Sequence, residues 1–143
     1  MKRYALLVVM VIAAGAAAYL LLRPPPLDEA EVRGYADPIS EKILQAFNSH
    51  DYASFISDMD QTMRDAFTMP RFNETVTVTN SKIGDYVSKE YWKAERSVGY
   101  ISVYYRARFT GETSDVTVRV VFSEDSGRHY VSGLWFDSPN LRS

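Results

Sequence analysis

The pattern of apolar positions changes character twice along the chain. From Ala5 to Leu22, eighteen residues pass without a charge, rich in Leu, Val and Ala. Between Ile39 and Ile83 apolar residues recur at helical spacing, and from Tyr86 onward they alternate with polar ones. A period near 3.6 followed by a period of two predicts helices first and strands second, the order of an α+β domain.

The first segment spans about 27 Å as a helix, near the lower limit for crossing a bilayer core. Two fates compete for it. Ala16-Ala17-Ala18 offers a signal-peptide cleavage site, but Tyr19-Leu20-Leu21-Leu22 carries the apolar run beyond it. A cleavage site normally ends the hydrophobic run, which favours an uncleaved anchor; a cleaved segment would leave a secreted domain. Lys2 and Arg3 outweigh Arg23, so the amino terminus is expected in the cytoplasm and the domain outside it. Pro24-Pro25-Pro26 should form a stiff polyproline II spacer. The expected organisation is an anchor or signal over 1–23, a Pro-rich linker over 24–36 and one α+β domain over 37–143.

Within that domain Asp37-Pro38 is the predicted start of the first helix, an acidic N-cap with Pro at N1. Ile39, Ile43, Leu44 and Phe47 then share a face, and Asn48-Ser49-His50 predicts a turn. Asp51 caps a second short helix with Phe55, Ile56 and Met59 inward, and a third runs from about Asp60 to Phe67, ended by Met69-Pro70. Residues 71 to 83 fit two patterns. Phe72, Val76 and Ile83 suit a helix, whereas Thr75 to Thr79 alternate like a strand; their position among helices favours helix.

Four strands are expected after Gly84. Tyr86 to Arg96 has the mixed polarity of an edge. Tyr100 to Phe109 puts Ile101, Val103, Tyr105, Ala107 and Phe109 on one face, with Tyr100, Ser102, Tyr104, Arg106 and Arg108 on the other. Val116, Val118, Val120 and Phe122 line the third strand inward. In the fourth, Tyr130, Ser132, Leu134 and Phe136 alternate with His129, Val131, Gly133 and Trp135. Turns at Gly111 to Ser114 and Glu124 to Gly127 make this an antiparallel meander with one apolar face for the helices.

Helices followed by a curved sheet, a first helix closed by Asn48-Ser49-His50-Asp51-Tyr52, a Phe- and Met-rich stretch from Phe55 to Phe67, and a closing Tyr130-Val131-Ser132-Gly133-Leu134-Trp135-Phe136 together resemble the nuclear transport factor 2-like, or cystatin-like, superfamily. The similarity covers roughly Asp37 to Phe136 and is nearest to small membrane-anchored prokaryotic members of no known function. It implies a cone in which the sheet wraps the helices, a pocket at the wide end and dimers through the outer sheet face. An anchored domain of this kind also resembles the inner-membrane scaffold subunit of bacterial type IV secretion systems. The scaffold hosts enzymes and binding modules alike, so the likeness does not carry an activity.

Charge narrows the partners. Beyond the N-terminal segment thirteen basic residues face eighteen acidic ones, which argues against nucleic acid. There is no Cys, hence no disulfide, thiol nucleophile or lipid-attachment cysteine. Two distant histidines predict no metal site, and no cofactor motif occurs. His50 beside Asp51 is either an acid–base dyad or a helix C-terminus followed by an N-cap, and neighbours at a turn seldom point together. His129 is expected in solvent at a strand start.

Two groups of residues remain as candidates. Arg106, Arg108 and Arg119 with Tyr100, Tyr104 and Trp135 fall on the outer sheet face; Arg and aromatics together suit a protein interface, and a solvated face neutralised by Glu90 or Glu112 is the plainer alternative. Phe55, Met59, Met63, Tyr86, Tyr105 and Tyr130 would line a pliable pocket for a small apolar ligand, or simply the core. A titratable pocket formed by Tyr86, Tyr105, Tyr130 and Glu90 would instead favour a small hydro-lyase or isomerase. The sequence favours a membrane-tethered extracytoplasmic binding or assembly module, with homodimerisation through the outer sheet face, over the enzyme.

Overall fold

A computed structural model describes residues 26–143. The expected anchor, and the first two prolines of the linker, lie outside the described residues. Among those residues no helix is long and apolar enough to cross a membrane. The elements are α1 (Glu29–Ser49), α2 (Tyr52–Ile56), α3 (Gln61–Ala66), α4 (Met69–Ile83), β1 (Tyr86–Ser97), β2 (Tyr100–Phe109), β3 (Val116–Asp125), β4 (Arg128–Asp137) and α5 (Pro139–Arg142). The result is an α+β fold with a curved antiparallel sheet in the order β1-β2-β3-β4.

Helix α1 begins at Glu29, not at Pro38. Asp28 is the N-cap, its carboxylate accepting from the N–H groups of Ala30 and Glu31, and Glu29 and Glu31 favour the positive end of the helix dipole. Pro38 sits inside the helix. The carbonyl it leaves without a donor belongs to Gly34, an exposed position open to water. Residues 29–36 are therefore helix rather than linker. At the other end α1 runs through Asn48 and Ser49, and His50 closes it in the left-handed region at φ 53°. Residues 71–83 are helical within α4, whose Phe72, Val76, Thr79 and Ile83 are buried.

The core lies between the inner sheet face and the helices. Val32, Ala36, Ile43, Leu44 and Phe47 of α1 meet Val103, Tyr105, Ala107, Val116, Val118, Val120 and Phe122 of the strands. Phe55, Phe72 and Phe47 pack ring on ring, with centroids 4.6–6.1 Å apart.

A second, polar seam ties α1 to β1 and β2. Glu29, Arg33, Asp37, Glu41 and Gln45 form one i, i+4 row along the helix. The Tyr91 hydroxyl donates to Glu29 at 2.8 Å, Tyr105 to Asp37 at 2.7 Å and Tyr86 to Glu41 at 2.6 Å. Arg33 bonds Asp37 at 3.0 Å and lies over the Tyr91 ring; Lys89 bonds Glu41 at 2.9 Å. Asn48 ends the row, its side chain exchanging two hydrogen bonds with the backbone of Tyr86. Burial and the carboxylate partners push all three phenols up, Tyr91 to about 12.

One strand departs from simple alternation. Val121 pairs with Gly133 but Phe122 pairs with Val131, so Ser132 is an extra residue in β4. This bulge turns the first half of the strand over. Val131 is fully buried inward, while Tyr130 faces outward, opposite Ser123, and Leu134 and Phe136 stay inward as expected. The free edge of β4 is covered by residues 58–60, which pair with Val131 through two backbone bonds and place Met59 in the core.

The Glu41 carboxylate is opposed by burial, yet hydrogen bonds from Tyr86, Lys89 and Gln45 hold it below the usual carboxylate range. Its stabilising contribution is present above the ordinary glutamate pKa and is lost as pH falls through the depressed folded value. Glu41→Gln should cost about 1 kcal/mol at pH 7, a figure reduced for a side chain still 41% exposed. In urea unfolding the gap between the variant and the natural chain should close by pH 3. An equal gap at both pH values would refute the seam's role.

Candidate functional site

The polar groups named for a pocket inside the cone do not converge. Tyr86 and Tyr105 are each spent on a separate carboxylate of α1. Glu90 is paired across from Arg106 on the exposed side of β1, and Tyr130 lies on the outer face with Arg128 4.8 Å over its ring. Phe55, Met59 and Met63 are buried side chains of the core. His50 caps α1, while the neighbouring Asp51 carboxylate accepts from the hydroxyl and N–H of Ser54, which lower its pKa. His50 closes its helix through its backbone, the Asp51 side chain caps the next one, and no hydrogen bond or ion pair joins the two.

On the outer face the candidates do meet. The register sets Tyr104 opposite Arg119, and Arg119 opposite Trp135. The Arg119 guanidinium lies 4.8 Å from the Trp135 centroid and 5.7 Å from that of Tyr104. Lys93 continues the row, 4.8 Å from Tyr104 and 4.6 Å from Trp92, and Arg106 stands 4.3 Å over Trp92. Cations and rings thus alternate across all four strands, each contact worth about 0.5–1 kcal/mol at an exposed site. Trp92 was not singled out by the alternation of β1. It follows the inward Tyr91 and so faces outward, and the irregularity between Tyr91 and Lys93 brings Lys93 to the same face beside it. Arg108 and Tyr100 lie on the same face at its two ends, Tyr100 47% exposed.

Neither Glu90 nor Glu112 neutralises these arginines. Among the described residues Arg106, Arg108 and Arg119 have no carboxylate within 4.0 Å. Glu112 instead accepts from the N–H of Asn140. Lys93, Arg106, Arg108 and Arg119 outnumber Glu90 and Glu95 here, so the face is cationic on an acidic domain.

Trp135 is 54% exposed yet held in place. Its ring covers Gly133: a Cβ at that position would lie 2.5 Å and 2.6 Å from Cζ3 and Cη2 of the indole. A side chain at residue 133 would have to push the indole from this seat.

A second feature is a cleft of about 270 Å³ where the two hairpins part at the end of the sheet. His129 is not in solvent as expected. The β4 bulge turns it inward, and its ring stacks on Tyr35 of α1 with centroids 3.6 Å apart and planes 6° from parallel. Glu124 lies 3.8 Å from its Nε2. Burial pushes the Tyr35 phenol up, Glu31 and Glu124 adding to it, and its hydroxyl is buried without a hydrogen-bond partner. Among the described residues no cluster of three or more metal-ligating side chains occurs.

Residues 40–127 match the family described as "Protein of unknown function (DUF3887)". The chain belongs to this family. The DUF3887 match begins inside α1 and ends before β4, so it includes Trp92, Tyr104, Arg106 and Arg119 but neither Trp135 nor His129. No curated protein matches the chain.

Gly133→Ala tests the seating of Trp135. In a Trp92→Phe background, where Trp135 is the sole tryptophan, the added methyl should displace the ring and move its emission to longer wavelength. Stability should fall by about 1–2 kcal/mol. An unchanged spectrum would show that the ring does not rest on residue 133.

Proposed function

We propose that this protein is a binding or assembly module of the nuclear transport factor 2-like type, tethered to a membrane by residues 5–22 with its domain extracytoplasmic. The helices-then-sheet order and the curved four-stranded sheet support that superfamily. The eighteen-residue uncharged run, with Lys2 and Arg3 before it, supports the tether.

The observation that carries the binding reading is the row of rings and cations across the outer sheet face. Trp, Tyr and Arg dominate binding energy at protein interfaces; here Trp92, Tyr100 and Trp135 are about half-exposed, and Arg106 and Arg119 are set against rings without a carboxylate within 4.0 Å. A partner surface bearing carboxylates completes them. The rest of this domain is acidic, which makes a second copy the partner the charges favour. The alternative, a small hydro-lyase or isomerase, would need its reacting groups between sheet and helices, where the side chains are packed core.

Sedimentation velocity of residues 26–143, with circular dichroism to verify folding, should show a weight-average coefficient that rises with concentration and falls with added salt. Trp92→Ala combined with Arg106→Glu should abolish the rise. A strict monomer at every concentration sinks self-association through this face. For the tether, the full chain expressed in bacterial cells should stay with membranes after alkaline carbonate extraction, and its domain should be digested by protease added from the periplasmic side. Release by carbonate, or protection from protease, would overturn the anchor or its orientation.

A further inference from the structure

The inner-face positions do not stop where the core stops. Following the register outward, Ile101 and Phe122 are the last apolar pair; Arg96 on β1 stands beside Ile101 in the same row, and one step beyond the same face carries Glu124 on β3 and His129 on β4. These residues and Tyr35 surround the 270 Å³ cleft. Its floor is apolar, Ile101 and Phe122, and one wall is the Tyr35–His129 stack, so it accepts a small apolar body.

The charges at its rim are opposite and apart. The backbones of Arg96 and Glu124 stand two strands apart and two residues out of line, about 12 Å in a regular sheet, with their side chains reaching toward the cleft between them. They do not close on one another: among the described residues Arg96 has no carboxylate within 4.0 Å, and the only ion-pair partner of Glu124 is His129 at 3.8 Å, beyond hydrogen-bond length. A guanidinium on one side and a carboxylate on the other leave a gap that a molecule bearing both an anion and a cation would bridge. A ligand with a single charge satisfies one side and leaves the other facing its own apolar part.

We propose that this cleft binds a small zwitterion of the amino-acid or dipeptide class, its carboxylate on Arg96, its ammonium on Glu124 and its apolar side chain against Ile101 and Phe122. Its charges and apolar floor come from the inner face; Tyr100, at one end of the outer face, also lines the cleft, whereas Trp92, Tyr104, Arg106, Arg119 and Trp135 do not.

The test uses the full chain in detergent micelles, with His129 imidazole signals followed by NMR in a His50→Gln background that leaves it the only histidine. L-phenylalanine and Gly-Phe are the zwitterionic probes. N-acetyl-L-phenylalanine keeps only the carboxylate and L-phenylalaninamide only the ammonium, while both retain the phenyl body. At least one zwitterion should shift His129 saturably and bind about ten-fold tighter than either singly charged probe, the scale of one charge-assisted hydrogen bond. Arg96→Gln should erase the advantage over phenylalaninamide, and Glu124→Gln the advantage over N-acetylphenylalanine. The proposal is overturned by His129 signals that neither zwitterion moves up to about 10 mM, beyond a millimolar Kd. It is equally overturned by one affinity for all four probes, or by variants that bind the zwitterions as the natural residues do.

Discussion

Helix α1 lies on the sheet along two parallel stripes, one apolar and one made of carboxylates that accept from tyrosines, and the second depends on a strict four-residue spacing. Glu29, Asp37 and Glu41 meet Tyr91, Tyr105 and Tyr86 at 2.6–2.8 Å. An apolar stripe alone tolerates sliding, because burial has no direction. Hydrogen bonds between a phenol and a carboxylate are directional and charge-assisted, and three along one side of the helix allow one register of helix on strands. Asn48 adds a fourth fixed point at the start of β1. The rest follows from this alignment. It decides which end of α1 reaches the hairpin tips, and so where Tyr35 meets His129.

Both candidate surfaces arise from interruptions in the strands. Regular alternation over twelve residues of β1 would keep one of Trp92 and Lys93 on each face; the irregularity between Tyr91 and Lys93 lets both contribute outward, against Tyr104. The extra residue in β4 does the same for the cleft. Without Ser132 as a bulge, His129 would face solvent and Tyr130 would compete with the core. With it, His129 joins Glu124 on the inner face and Ser132 bonds Asp60 and Ser123 on the other. Bulges at sheet edges often re-aim side chains in this way.

The two surfaces differ in what they offer. The outer face is broad and cationic, with rings already braced by guanidinium and ammonium groups, so little side-chain freedom remains to be lost on binding. The cleft is small and carries both signs of charge. Protein docking suits the first and a small zwitterion the second, and one domain has room for both because the row of rings and cations lies on one face of the sheet and the charges of the cleft on the other, with Tyr100 bordering both.

Much was readable from residue order alone. Tyr100 to Phe109 alternates without a break, and its strand and its buried face are as the period of two demands. The cap at Asp51 is a local event between a side chain and an N–H three residues on. Helix over 71–83 rather than strand is also a matter of spacing, since Phe72, Val76, Thr79 and Ile83 fall on one side. Other features had no local signature. Pro38 looked like a helix start because its effect on a helix depends on whether the carbonyl four residues back can reach water. The bulges change which face a residue takes without changing composition, and only cross-strand pairing reveals them. The partners of Tyr86, Tyr91 and Tyr105 lie 45 to 68 residues away in the chain. Sequence by itself determined the elements, their order and most of the core, because those obey short-range periodicity. The tertiary structure alone decided which polar side chains meet, because that depends on register between distant segments.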